Sequence, residues 1–125
     1  MSSTLHIAIV DDDESVRDAA VNLFRSMGLA AVAFDSAEAF LESGSMDEVS
    51  CLVLDVQMPG MDGLRLQSHL ATMGRHIPIV FVTGYSDESA RIRALESGAI
   101  CFLTKPFSER DLLNGLHSAL EPGDR

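Results

Sequence analysis

The sequence predicts an α/β domain, a parallel sheet with helices on both faces, and two observations carry that reading. Five short apolar runs bounded by Gly, Pro or polar residues alternate with five stretches whose apolar residues recur at helical spacing. Each strand, helix, strand unit closes by a right-handed crossover over short connections, so successive helices cover one sheet face or the other. With 125 residues, nearly half of them apolar, the chain supports one sizeable core and a single domain over residues 1–125.

The elements follow in order. Leu5 to Val10 reads as the first strand and runs into Asp11-Asp12-Asp13-Glu14, which leads a helix with Val16, Ala20, Leu23, Phe24 and Met27 as its apolar positions. Gly28 stops that helix, and Ala30 to Phe34 makes the second strand. Ser36 caps a short helix with Ala39, Phe40 and Leu41 that ends near Gly44. Cys51 to Leu54 is the central strand, apolar throughout and therefore buried on both faces, with Asp55 at its end. Pro59, Gly60 and Gly63 turn the chain, and Asp62 caps a third helix carrying Leu66, Leu70 and Met73 and closed by Gly74. Pro78 opens the fourth strand, Ile79 to Val82, which Thr83 and Gly84 end. Ser86 begins a fourth helix that stops at Gly98, and Ile100 to Leu103 is the fifth strand, broken by Lys105-Pro106. Ser108 and Asp111 match a capping box for the last helix, whose apolar face is Leu112, Leu113, Leu116, Ala119 and Leu120. Glu121 to Arg125 reads as a domain edge, the start of a linker or the chain end.

Composition excludes several functions. A formal net charge of −10 repels a phosphate backbone or an anionic membrane, so no direct nucleic-acid or membrane binding is expected. No run is long enough to span a bilayer and no signal-peptide pattern opens the chain, which predicts a cytoplasmic protein. Cys51 and Cys101 fall in predicted buried strands and are expected to pack as small hydrophobes. His6, His69, His76 and His117 share no ligand spacing, and Met58 and Met61 are expected to pack the loop they flank.

Parallel strands carry their carboxyl ends to one rim, so Asp11, Asp12, Asp55, Thr83 and Lys105 meet there. Carboxylates about 4 Å apart repel by about 4 kcal/mol per pair at an effective dielectric of about 20, which a hard divalent cation relieves. Oxygen ligands with no sulfur or imidazole favour Mg2+ over zinc. Asp13 and Glu14 are read as a solvated helix start. Asp55, a carboxylate ending an apolar strand, incurs desolvation and must have a partner. With a metal beside it, Asp55 can attack a phosphoryl group, while Thr83 and Lys105 neutralise its oxygens.

The succession VDDDE, LDVQMPGMDG, VTG and LTKPF, spread over essentially the whole chain, resembles the receiver domain of two-component response regulators. The resemblance implies a flavodoxin-like (βα)5 doubly wound parallel sheet of strand order 2-1-3-4-5. It implies phosphorylation of Asp55 by a sensor histidine kinase, with Mg2+ held by Asp12, Asp55 and the backbone carbonyl of Gln57, and Asp11 acting through a metal-bound water. Thr83 and Lys105 would contact the phosphoryl group, and the peptide before Pro106 would be cis. The segments SAEAFL, VTGYSD and FLTKPF are most similar to the nitrogen-fixation regulator type.

Receivers of this kind switch by drawing in the Thr, here Thr83, and rotating an aromatic residue, here Phe102. Phe lacks a hydroxyl to satisfy in water, so Phe102 is expected to prefer burial. Gln57 and Tyr85 would flank the phosphoryl site and govern water access, although Tyr85 reads equally well as an exposed loop aromatic. The helix from Ser86 has a thin apolar set, Ala90, Ile92, Ala94 and Leu95, and with strand five and the last helix would form the switch face. That face would serve a homodimer formed on phosphorylation or another partner, with a C-terminal DNA-binding output domain outside this chain as one arrangement. Such a domain catalyses only its own phosphorylation and dephosphorylation. The enzyme alternative is a phosphohydrolase with Asp11 as nucleophile, which wants a longer chain and a cap. A flavodoxin-like flavin or nucleotide carrier would need a phosphate loop where the chain has Asp11 to Glu14, which repel phosphate.

Overall fold

The computed structural model describes residues 5–84 and 88–120. Five parallel strands, β1 (His6–Val10), β2 (Ala30–Phe34), β3 (Cys51–Asp55), β4 (Ile79–Thr83) and β5 (Cys101–Thr104), lie in the order β2-β1-β3-β4-β5. Five helices connect or follow them: α1 (Glu14–Ser26), α2 (Ala37–Glu42), α3 (Gly63–Thr72), α4 (Glu88–Glu96) and α5 (Glu109–Leu120). This is the doubly wound, flavodoxin-like arrangement expected, and its central strands β1, β3 and β4 are flanked on both edges.

Side-chain alternation along each strand splits the interior in two. Ala8, Val10, Leu52, Leu54, Ile79 and Phe81 pack with Ala37, Phe40, Leu66, Leu70, Ala90 and Ala94 of α2, α3 and α4. Ile7, Ile9, Cys51, Val53, Val80 and Val82 pack with Ala20, Phe24, Leu112, Leu116 and Ala119 of α1 and α5. Helix starts use local chemistry: Ser36 Oγ accepts from the Ala39 N–H, Asp62 Oδ1 from the Arg65 N–H and Ser108 Oγ from the Asp111 N–H. Among the described residues no helix is long and apolar enough to cross a membrane.

Three expectations shift. Met27 and Met73 leave the apolar faces of α1 and α3; each is the C-cap residue, 48% and 42% exposed, because the helix has already ended when the period reaches it. The first strand begins at His6 and the fifth at Cys101, leaving Leu5 and Ile100 outside the ladders as exposed residues. Cys51 is buried, whereas Cys101 is only half-buried, since β5 is the sheet edge beyond β4. The Ser86 helix start and the segment from Glu121 lie outside the described residues.

Gly63 opens α3 against the back of the central strand. A Cβ there would overlap the Asp55 carbonyl oxygen and come 3.1 Å from the Phe81 ring. Backbone cannot yield as a side chain can, so Gly63→Ala is expected to cost about 1–3 kcal/mol in urea denaturation. An unchanged midpoint would show that β3 and α3 are not closely apposed.

Candidate functional site

The carboxyl ends of β1 and β3 are adjacent in the sheet, with Val10 paired to Leu54. Asp11 and Asp55 therefore emerge side by side, and both are buried, at 0% and 3% exposure. Asp12 stands beside them but exposed. One carboxylate oxygen from each of Asp11, Asp12 and Asp55 lies within 4.8 Å of the others. Lys105, from the loop after β5, places Nζ 2.9 Å from Asp11 Oδ2 and 3.5 Å from Asp55 Oδ2. Thr83, at the end of β4, is buried at the same rim, and its carbonyl accepts from the Lys105 N–H at 2.7 Å. The Lys105–Pro106 peptide is cis.

Hydrogen bonds fix the two acids in place. Asp11 Oδ1 accepts from the Asp13 N–H at 2.9 Å, and the Arg17 guanidinium donates to the Asp11 carbonyl at 2.9 Å. Asp13 caps α1 through the Ser15 N–H, the helix-start role expected of it. Asp55 Oδ1 accepts from the Gln57 N–H at 3.3 Å, and Gln57 itself is exposed. Asp11 Oδ2 is fully buried, and the Lys105 ammonium at 2.9 Å is its one close partner among the described residues.

The charges do not balance. Burial pushes the Asp55 carboxyl up, Asp11 pushes it further, and Lys105 with the Gln57 N–H offsets only part, leaving it at about 7. Burial works against the Lys105 ammonium, but Asp11 and Asp55 outweigh it and raise that group above its usual range. An all-oxygen donor set, a buried carboxylate oxygen whose one close partner is the Lys105 ammonium, and excess negative charge suit a hard divalent cation.

Phe102 is half-buried, its ring 6.0 Å from that of Phe81 at 37°. Tyr85 lies outside the described residues. Arg17 was not among the residues singled out from the sequence, because a cation one turn into a helix has no local mark of a tertiary role. His6 is half-buried and His69, His76 and His117 are exposed, scattered over separate elements.

Comparison with known proteins bears on the family and the fold. The family model described as the response regulator receiver domain matches residues 7–117. Nodulation protein W of Bradyrhizobium diazoefficiens is 48% identical over 115 residues, 92% of this chain and 51% of that protein. Transcriptional regulatory protein FixJ of Azorhizobium caulinodans is 36% identical over 120 residues, 96% of this chain and 57% of that protein. The crystal structure of FixJ-N superposes with a TM-score of 0.85 at 31% identity, covering 100% of this chain and 99% of that one. The chain spans about half the length of the curated relatives it matches. These matches do not favour the phosphohydrolase alternative with Asp11 as nucleophile.

The raised Asp55 carboxyl has a thermodynamic consequence. Between its unfolded value near 4 and about 7 the native state binds the extra proton, so this group subtracts stability as pH rises through that window. Asp55→Asn is expected to melt higher than wild type at about pH 8 without divalent metal, the advantage shrinking below about pH 5. A lower melting temperature for the variant at about pH 8 would contradict the imbalance.

Proposed function

Since the chain belongs to the response regulator receiver domain family, we propose that Asp55 accepts a phosphoryl group from a sensor histidine kinase in a Mg2+-dependent step. The observation that supports it most is the Asp11–Asp55 pair, buried together at adjacent strand ends with the Lys105 ammonium within 3.5 Å of both. Mg2+ held by Asp11, Asp12, Asp55 and the Gln57 carbonyl would supply positive charge against these carboxylates and the incoming phosphoryl oxygens.

The chain's own groups then divide the work. Asp55, deprotonated, attacks phosphorus through a carboxylate oxygen; the bond from phosphorus to the kinase imidazole nitrogen breaks and its electron pair stays on the imidazole. Lys105, already within 3.5 Å of Asp55, is placed to pair with a phosphoryl oxygen. Thr83 is the hydroxyl that would follow the new charge. Gln57, exposed two residues beyond the nucleophile, is placed to govern the approach of water and so the lifetime of the acyl phosphate, a role proposed for Tyr85 from its sequence position two residues after Thr83.

Readout falls to the α4–β5–α5 face. α4 buries only Ala90 and Ala94 and leaves Ile92 43% exposed, so little apolar contact holds it. Phe102 on β5, half-buried against Phe81, can complete its burial when Thr83 moves. A face of this kind suits a second copy of the chain on phosphorylation, or an output domain such as a DNA-binding one in a longer cytoplasmic regulator. On this reading the domain turns over no substrate beyond its own phosphorylation and dephosphorylation.

Incubation with a small acyl phosphate is expected to give one phosphoryl adduct by intact mass, dependent on Mg2+ and absent in Asp55→Asn. An adduct of equal yield in Asp55→Asn, or in excess chelator, would overturn the assignment.

A further inference from the structure

We infer that Glu38 is a positioning residue for the loop that carries the phospho-acceptor's neighbours: its carboxylate, delivered from α2, fixes the Gly60–Met61 peptide and with it the course of the loop backbone bearing Gln57. The inference rests on the phospho-acceptor reading of Asp55 given above.

The loop from Val56 to Asp62 is closed at its base by the Gly63 N–H on the Val56 carbonyl at 2.8 Å. Its first turn is tied to Asp55 through the Gln57 N–H, and its far end is the cap of α3. Between these points the apex is held by Met58 and Met61, whose side chains pack on the α2–α3–α4 side of the core. Apolar packing holds a loop down but does not set the rotation of its peptides. One directional bond does so: the Met61 N–H donates to Glu38 Oε2 at 2.9 Å, across 23 residues of sequence. Among the described residues, Asp55 at the end of β3 holds the start of this loop's backbone, and Glu38 is the side chain from an element not adjoining the loop that bonds to it.

Both ends of that bond are prepared. Glu38 lies in the first turn of α2 between Ala37 and Phe40, which are fully buried, and Ser36 caps the helix, so the carboxylate projects from a fixed base. Gly60 adopts φ +77°, and a Cβ there would meet Glu38 Oε2 at 2.7 Å. The chain thus has Gly at the position where the carboxylate lies against the backbone. The bond to Met61 also holds the Glu38 carboxyl below its usual range, with the Arg65 guanidinium contributing in the same direction. The acceptor is therefore fully ionised at neutral pH.

Removing the tether leaves the methionine anchors in place and frees the apex to rotate. A loop that samples more orientations presents the Gln57 backbone correctly for a smaller fraction of the time, and ligand affinity falls by that fraction. A single lost hydrogen bond of ordinary net strength corresponds to about a three- to tenfold effect.

Glu38→Ala and Glu38→Gln separate the bond from the charge, since Gln retains an acceptor oxygen. Amide hydrogen exchange over residues 56–63 is measured in metal-free protein, Mg2+ affinity by titration, and adduct formation from acyl phosphate at subsaturating Mg2+. Glu38→Ala should accelerate exchange at Met61 and its neighbours while α1 and α5 stay protected. It should weaken Mg2+ binding and slow adduct formation by about three- to tenfold, with excess Mg2+ restoring the rate. Glu38→Gln should stay within about twofold of wild type. Wild-type exchange and Mg2+ affinity in Glu38→Ala, or equal impairment in both variants, would overturn the positioning role. Failure of the wild type itself to bind Mg2+ or form an adduct would instead sink the phospho-acceptor reading.

Discussion

The structure depends on one electrostatic conflict: two carboxylates, Asp11 and Asp55, buried at the ends of neighbouring strands with one ammonium for company. Isolated buried carboxylates would each be expelled to water or protonated. Here the sheet holds them in place, because Val10 and Leu54 are paired in a ladder buried on both faces and the next residue of each strand has no alternative exit. The conflict is eased from outside by Lys105 and left incomplete, which is why Asp55 lies at about 7. A site under such tension favours a cation that enters it.

The rest of the fold serves that placement. Both apolar layers keep the strands from slipping, so the carboxyl ends stay level. Gly63 lets α3 close against the Asp55 backbone, and Arg17 pins the Asp11 carbonyl from α1. Firm packing around β1 and β3 contrasts with α4, which buries two alanines and turns Ile92 to solvent. The rigid half holds the carboxylates, and the loosely packed half has the fewer buried contacts to hold it.

Much of this was legible in the sequence, for reasons that differ by residue. Asp55 stood out because a carboxylate ending an apolar strand has no bland explanation, and Ser36 and Asp62 because capping is local chemistry. The rim of Asp11, Asp12, Thr83 and Lys105 followed from parallel strands sharing one carboxyl edge. Met27 and Met73 misled because a 3.6-residue period does not record where a helix stops. The half-burial of Cys101 and Phe102 comes from the position of β5 at the sheet edge, which no local pattern encodes. Glu38 on Met61 and Arg17 on Asp11 are tertiary contacts of ordinary-looking surface residues. The closer approach of Lys105 to Asp11 than to Asp55 likewise depends on loop geometry.

The most direct measurement is carboxyl-carbon NMR of Asp55 across a pH titration, with and without Mg2+. The account predicts a midpoint near 7 in metal-free protein, well above an ordinary aspartate, and a shift to lower pH when the ion is added. A midpoint near 4 without metal, or one that Mg2+ leaves unmoved, would contradict the claim that the fold holds Asp55 in unrelieved electrostatic conflict.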